Sequence, residues 1–232
     1  MTVANDAPQP APAERERRLE DIAQSVRSTF QTIEDMTRVF IREAILRGVY
    51  RPGERLNQDN IAEALGVSRM PVRASLRQLE AEGLLSIVPH RGAVVTTLSP
   101  AEIAEIYDMR CLLEPYLLEH AIEAITDEGI EAVDSLTARI ASTDDPSERY
   151  ELRRQYYATL YGFAGRPRAA QTAAQLRASV SRYLMIQHVD EHSTHGGLAP
   201  FLRTRDVEGA SRWLVEHLRE VGAQMQQLVE TD

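Results

Sequence analysis

From Ile33 onward the apolar residues fall at helical spacing: Met36, Val39, Phe40, Ala44 and Leu46 roughly follow a 3.6-residue period. Gly48 ends that helix, and Arg51-Pro52-Gly53 makes a turn. A second helix is predicted from Gln58 to Leu65, with Asn57 as its N-cap. After a tight turn at Gly66-Val67, Ser68 is expected to cap a third helix that reaches Glu82, where Gly83 stops it. Two β-like runs, 84–88 and 93–97, flank Pro89-His90-Arg91-Gly92, which reads as a hairpin loop. Three helices and a small hairpin are the layout of a winged helix-turn-helix.

Beyond the hairpin the pattern is helical throughout. Ser99-Pro100-Ala101-Glu102 is a capping box with proline at the first helical position. Asp145-Pro146-Ser147-Glu148 repeats that grammar, and Thr126 and Asp206 are further candidate caps. Six helices are predicted, over 100–125, 127–142, 146–164, 167–190, 193–204 and 206–229, with apolar stripes that suit a bundle around one core. The expected fold class is mainly α: a winged helix-turn-helix over 31–98, then an all-α sensor and dimerisation domain over 99–232. Residues 1–30, rich in Ala and Pro at their start, are expected to form a flexible tail with at most a frayed helix from Glu14 to Arg27.

A chain of 232 residues has room for two domains. No apolar run approaches the roughly 18 residues of a membrane helix. Residues 1–20 carry Pro8, Pro10 and Pro12 and no apolar stretch of the kind a secretory leader needs. The single cysteine, Cys111, is read as a small core residue. A cytoplasmic protein without membrane contact is expected. The net charge of −9 argues at first against nucleic acid, but it is unevenly spread. Residues 31–98 hold nine arginines against eight acids, so the acidity lies almost entirely in the second half. All 26 basic residues are arginine.

The segment Ala62-Glu63-Ala64-Leu65-Gly66-Val67-Ser68 carries the chemistry a helix-turn-helix needs. Small Ala62 permits close helix approach, Gly66 makes the turn and Val67 fills the gap. Arg69 and Arg73 then share one face at the start of the third helix, the end that enters a major groove. An arginine there can bind guanine O6 and N7 bidentately. The Ser68 hydroxyl and the N–H groups of that helix start suit a phosphate. Pro71 loses little, since N–H groups of a first turn lack intrahelical partners. His90, Arg91 and Gly92 are placed to follow the sugar-phosphate backbone or the minor groove. Read alone, Arg69, Arg73 and Arg77 could be a solvated face. A turn signature before them and a wing after them favour DNA.

The run from Gly66-Val67-Ser68-Arg69-Met70-Pro71-Val72-Arg73 to Glu82-Gly83-Leu84 resembles the recognition helix of the GntR superfamily, and His90-Arg91-Gly92-Ala93-Val94-Val95 resembles its wing. The resemblance covers about 36–98. It implies that Arg69 and Arg73 read bases, with Ser68, Met70 and Gly92 nearby. Two departures bear on operator preference: Met70 stands where family members commonly have Thr, and Asp59 where many carry an arginine. Residues 99–225 resemble the helical ligand-sensing FCD domain of the same superfamily. Ile106-Tyr107-Asp108-Met109-Arg110 through Glu114-Pro115 look like its first-helix signature, and His195, Asp206, Ala210 and His217-Leu218 match its last two helices. The compact helix count looks more like the VanR-type subgroup than the longer FadR-type one.

The resemblance implies a divalent metal held by an aspartate, a histidine four residues on, and two later histidines. In this chain Arg153 stands at the aspartate and Tyr157 at the first histidine, so only His195 and His217 remain. A guanidinium in place of a carboxylate repels a cation, so no metal cofactor is expected. Arg153, Tyr157, His195 and His217, with Arg110 as a second anchor, are expected instead to line an effector pocket. Its donors suit a small carboxylate or phosphate. An alternative places zinc or another divalent ion on a rearranged set. His188, His192 and His195 lie at i, i+4 and i+7 and could converge with His217. The expected function is a homodimeric regulator, read as a repressor, whose grip on double-stranded operator DNA responds to the effector. The alternative is a degenerate sensor domain that only dimerises. No nucleophile motif points to an enzyme.

Overall fold

A computed structural model describes residues 12–27, 32–186 and 192–231, and their side chains except at 27, 146–147, 182–186, 192–195 and 231. The chain divides into two compact units between Thr97 and Leu98.

The first unit contains α1 (Pro12–Arg27), α2 (Ile33–Leu46), α3 (Gln58–Leu65), α4 (Arg69–Ala81) and the hairpin β1 (Leu85–Val88) and β2 (Gly92–Val95). Local chemistry sets most boundaries. Thr32 Oγ1 accepts from the Asp35 N–H at 3.0 Å and opens α2. Asn57 Oδ1 accepts from the Asp59 N–H at 2.9 Å and opens α3. Gly66 ends α3 with φ 67°, a left-handed position that glycine takes without a steric cost. The core is built from Phe40, Ile41 and Ile45 of α2, Ile61 and Leu65 of α3, Val72, Leu76 and Leu79 of α4, and Leu84, Ala93 and Val95 at the hairpin. Strands β1 and β2 pair antiparallel, with Leu85 opposite Val95 and Val88 opposite Gly92. Each strand of the hairpin is one residue shorter than its predicted run, and residues 53–56 pair along the outer edge of β2. Leu56 N–H donates to the Ala93 carbonyl, and Val95 N–H to that of Glu54, each at 2.9 Å.

The expectation of a tail over 1–30 is corrected at residues 12–27. They form helix α1, which packs on α2 and α3. Ile22, Ala23 and Val26 are buried in the core of this unit, with Leu19 packed against them. These four positions follow i, i+3, i+4, i+7, the spacing of one helix face. Arg15 pairs with Glu54 and lies over the Tyr50 ring, 5.1 Å from its centroid. The prolines and alanines upstream hid this stripe from a compositional reading.

The second unit is a bundle of α5 (Pro100–Ala124), α6 (Asp127–Ser142), α7 (Pro146–Gly162), α8 (Pro167–Ile186), α9 (His192–Thr204) and α10 (Val207–Thr231). These are the six predicted helices. The Ser99–Glu102 capping box forms in both directions. Thr126, Asp145 and Asp206 each accept an N–H from the first turn that follows them. Helices α5 and α10 pack along each other. At Gly222 they are close enough that a Cβ would lie 2.8 Å from the Tyr107 ring. Among the described residues no helix is long and apolar enough to cross a membrane.

Candidate DNA-reading face and sensor cluster

Helix α4 has two unlike faces. Val72, Ser75, Leu76 and Leu79 are buried, and Ser75 Oγ donates to the Glu34 carbonyl of α2 at 3.0 Å. Arg69, Met70, Arg73 and Arg77 are exposed, Met70 at 80%. The core thus fixes which side of α4 meets solvent. Its first turn follows directly from the αL turn at Gly66, where Val67 N–H donates to the Ala62 carbonyl at 3.0 Å. Ser68 occupies the N-cap position with φ −76° and ψ 165°, but its side chain makes no capping hydrogen bond. The predicted cap is therefore positional only.

Both predicted base readers are met by adjacent residues in the first turn of α3. Arg69 Nε pairs with Asp59 Oδ1, and Arg73 Nε donates to Gln58 Oε1 at 3.2 Å. At the wing tip, His90 (φ 63°) and Gly92 (φ 78°) both take left-handed backbone, which exposes His90 and Arg91. A Cβ at Gly92 would lie 3.8 Å from Arg55 Nε. Arg55, exposed and bridged to Val94, is thus a further cation near the wing tip. Sequence reasoning missed it because residues 53–56 carry no strand signal of their own.

The helical unit holds a buried polar cluster. Arg110 Nε donates to Glu114 Oε1 at 2.7 Å, with Arg110 2% and Glu114 0% exposed. Tyr161 of α7 donates its hydroxyl to Glu114 Oε2 at 2.9 Å. Arg177 of α8 brings Nη1 to 3.2 Å from the same oxygen. Its guanidinium lies 4.1 Å from the Tyr157 ring centroid and 5.2 Å from that of Tyr161. Burial would raise the pKa of Glu114. The charges of Arg110 and Arg177 and the two hydrogen bonds outweigh it and hold the carboxyl below its ordinary range. Burial, then the Glu114 charge, push the Tyr161 phenol well above its ordinary range, so it stays a donor.

Of the predicted effector residues, Arg110 and Tyr157 come together in this cluster. Arg153 stands one turn before Tyr157 on α7 and is partly buried. His217 is buried on α10 and stacks on Trp213, with ring centroids 5.1 Å apart and planes 2° apart. His188 and the side chains of His192 and His195 lie outside the described residues. Among the described residues no group of three or more His, Cys, Asp or Glu could hold a metal ion. Glu114, Tyr161 and Arg177 were missed. Glu114 had a signal, four residues after Arg110 on one helix; Arg177 had none, since only packing brings α8 to it.

A helix-turn-helix with a hairpin wing and exposed arginines at the start of its third helix, joined to an all-helical unit, defines a DNA-binding transcription regulator. Comparison with known proteins gives the family. Residues 36–95 match the gntR family of bacterial regulatory proteins, and residues 105–220 match the FCD domain. The chain belongs to the GntR family of transcriptional regulators and is not an enzyme. The uncharacterized HTH-type transcriptional regulator YdhC of Bacillus subtilis (strain 168) is 29% identical over 128 residues, 53% of this chain and 57% of that protein. The match thus spans little more than half of that relative. The HTH-type transcriptional repressor GlaR of Escherichia coli (strain K12) is 27% identical over 198 residues, 77% of this chain and 89% of that protein. The solved structure of E. coli McbR/YncC shares the fold, with a TM-score of 0.69 at 22% identity over 86% of this chain and 99% of that one.

Proposed function

We propose that this protein is a cytoplasmic, homodimeric repressor that holds an operator through the α4 face and wing, and releases it when a small anion binds the helical unit. The DNA half of this reading is carried by Arg69 and Arg73, which are exposed at the start of α4 and meet α3 through Nε. Repression is supported by relatives such as GlaR, named a transcriptional repressor. Two copies of the wing and α4 would be needed to match two half-sites.

The effector half is carried by Arg177. This guanidinium meets Glu114 through Nη1, rests on Tyr157 and is mostly shielded from water. Its remaining N–H groups are the donors a carboxylate or phosphate would take. Arg153 and Tyr157 do not suit a metal ion. The first is a cation, and the second already has a guanidinium on its ring face. The effector is therefore bound without a metal. An anion drawing Arg177 away from Glu114 would reset how α8 packs on α5 and α7, and its preference for one packing would shift the population between DNA-holding and released forms.

Calorimetry with small carboxylates and phosphate on chelator-treated protein tests this. Saturable binding is expected, with loss in Arg177→Gln at unchanged helicity. Binding that appears only after Zn²⁺ is added would overturn the metal-free reading. No binding under either condition would leave a sensor domain that only dimerises.

A further inference from the structure

We propose that Asp59 is a positioning residue for DNA recognition: it holds Arg69 by its Nε side so that the outer Nη1–Nη2 edge faces the bases. The inference rests on the reading that α4 enters the major groove.

Three observations carry it. The ion pair is made by Arg69 Nε, and the parallel hydrogen bond to Gln58 is also made by Nε, of Arg73. A guanidinium gripped at Nε keeps its terminal fork free, and that fork can take guanine O6 and N7 together. Second, the grip comes from fixed backbone: the Asp59 N–H is bound by the Asn57 cap at 2.9 Å, and α3 is locked to α4 through Ile61, Leu65 and the Gly66 turn. Third, the pair is exposed, with side chains 67% and 56% accessible. An exposed pair adds little to folding stability, so removing it leaves the fold intact and its effect on DNA reading can be measured by itself. A carboxylate here also repels nearby phosphates, which lowers affinity for every duplex alike. Asp59 therefore exchanges general affinity for selectivity.

The test uses the full chain and a randomised duplex library selected with the wild-type protein. The selected sequence and its single-base variants are then titrated against wild type, Asp59→Ala, Asp59→Asn and Arg69→Ala at fixed salt. Asp59→Ala is expected to bind non-cognate duplex more tightly. It should lose about two- to tenfold of the discrimination at the base pair that Arg69→Ala also relaxes, the scale of freeing one ordered side chain. Asp59→Asn keeps an acceptor for Nε and should retain most of that discrimination while sharing the non-cognate gain. If Asp59→Ala tightens all duplexes equally and discriminates as wild type does, the positioning role is wrong. If Arg69→Ala keeps full selectivity, the groove reading fails first and this inference falls with it.

Discussion

Two arginine pairs, one in each unit, sit in opposite surroundings. In the DNA-binding unit Arg69 and Arg73 lie on the surface and meet Asp59 and Gln58 in open solvent. In the helical unit Arg110 and Arg177 are held around one buried carboxylate. Water screens the first arrangement, so each contact contributes little to stability and the arginines remain available to a partner. The second is shielded, so breaking it leaves an uncompensated charge inside the bundle. Losing a surface contact therefore leaves the fold nearly intact, whereas the buried contacts hold the bundle together.

The largest expected effect breaks the buried side of this contrast. Glu114→Ala should cost about 3–5 kcal/mol of stability in the helical unit, because two guanidinium groups lose their shared counter-ion. Urea denaturation followed by circular dichroism checks it, and a loss under 1 kcal/mol would mean water replaces the carboxylate. The same group sets a pH dependence. Its folded pKa lies below the ordinary value of 4.5, so the stability it contributes is present above that value. That stability is lost as pH falls through the lower, folded pKa. Glu114→Gln should flatten the acid limb of a pH-melting series.

Next in size is a core change in the other unit. Ile22→Ala, in α1, should cost about 2–4 kcal/mol. A mobile tail would give no change on the same denaturation curve. The smallest effect sharpens the surface side. Arg203→Ala removes an exposed partner of Asp134 and should change stability by about 0.2–1 kcal/mol, shrinking further in 1 M salt. A large, salt-independent loss would show that exposure alone does not separate the two classes of arginine.

Much of this molecule is written locally. Asn57, Ser99, Thr126, Asp145 and Asp206 mark helix starts because a short polar side chain satisfies N–H groups within three residues of itself. Gly66 marks a turn because its φ of 67° is open to glycine. Arg69 and Arg73 share a face because four residues make about one helical turn. The sequence alone therefore determined nine of the ten described helices, the wing and the arginine face. It also contained the α1 stripe, at 19, 22, 23 and 26, though the polar composition around it masked the signal.

What only the tertiary structure decided is which distant groups meet. Arg177 reaches Glu114 across 63 residues of chain, and Arg69 reaches Asp59 across a turn whose angle depends on how α3 packs on α4. Neither contact has a periodic or capping signature, because side-chain partners on different helices are chosen by the packing of apolar faces, and many sequences share the same apolar spacing.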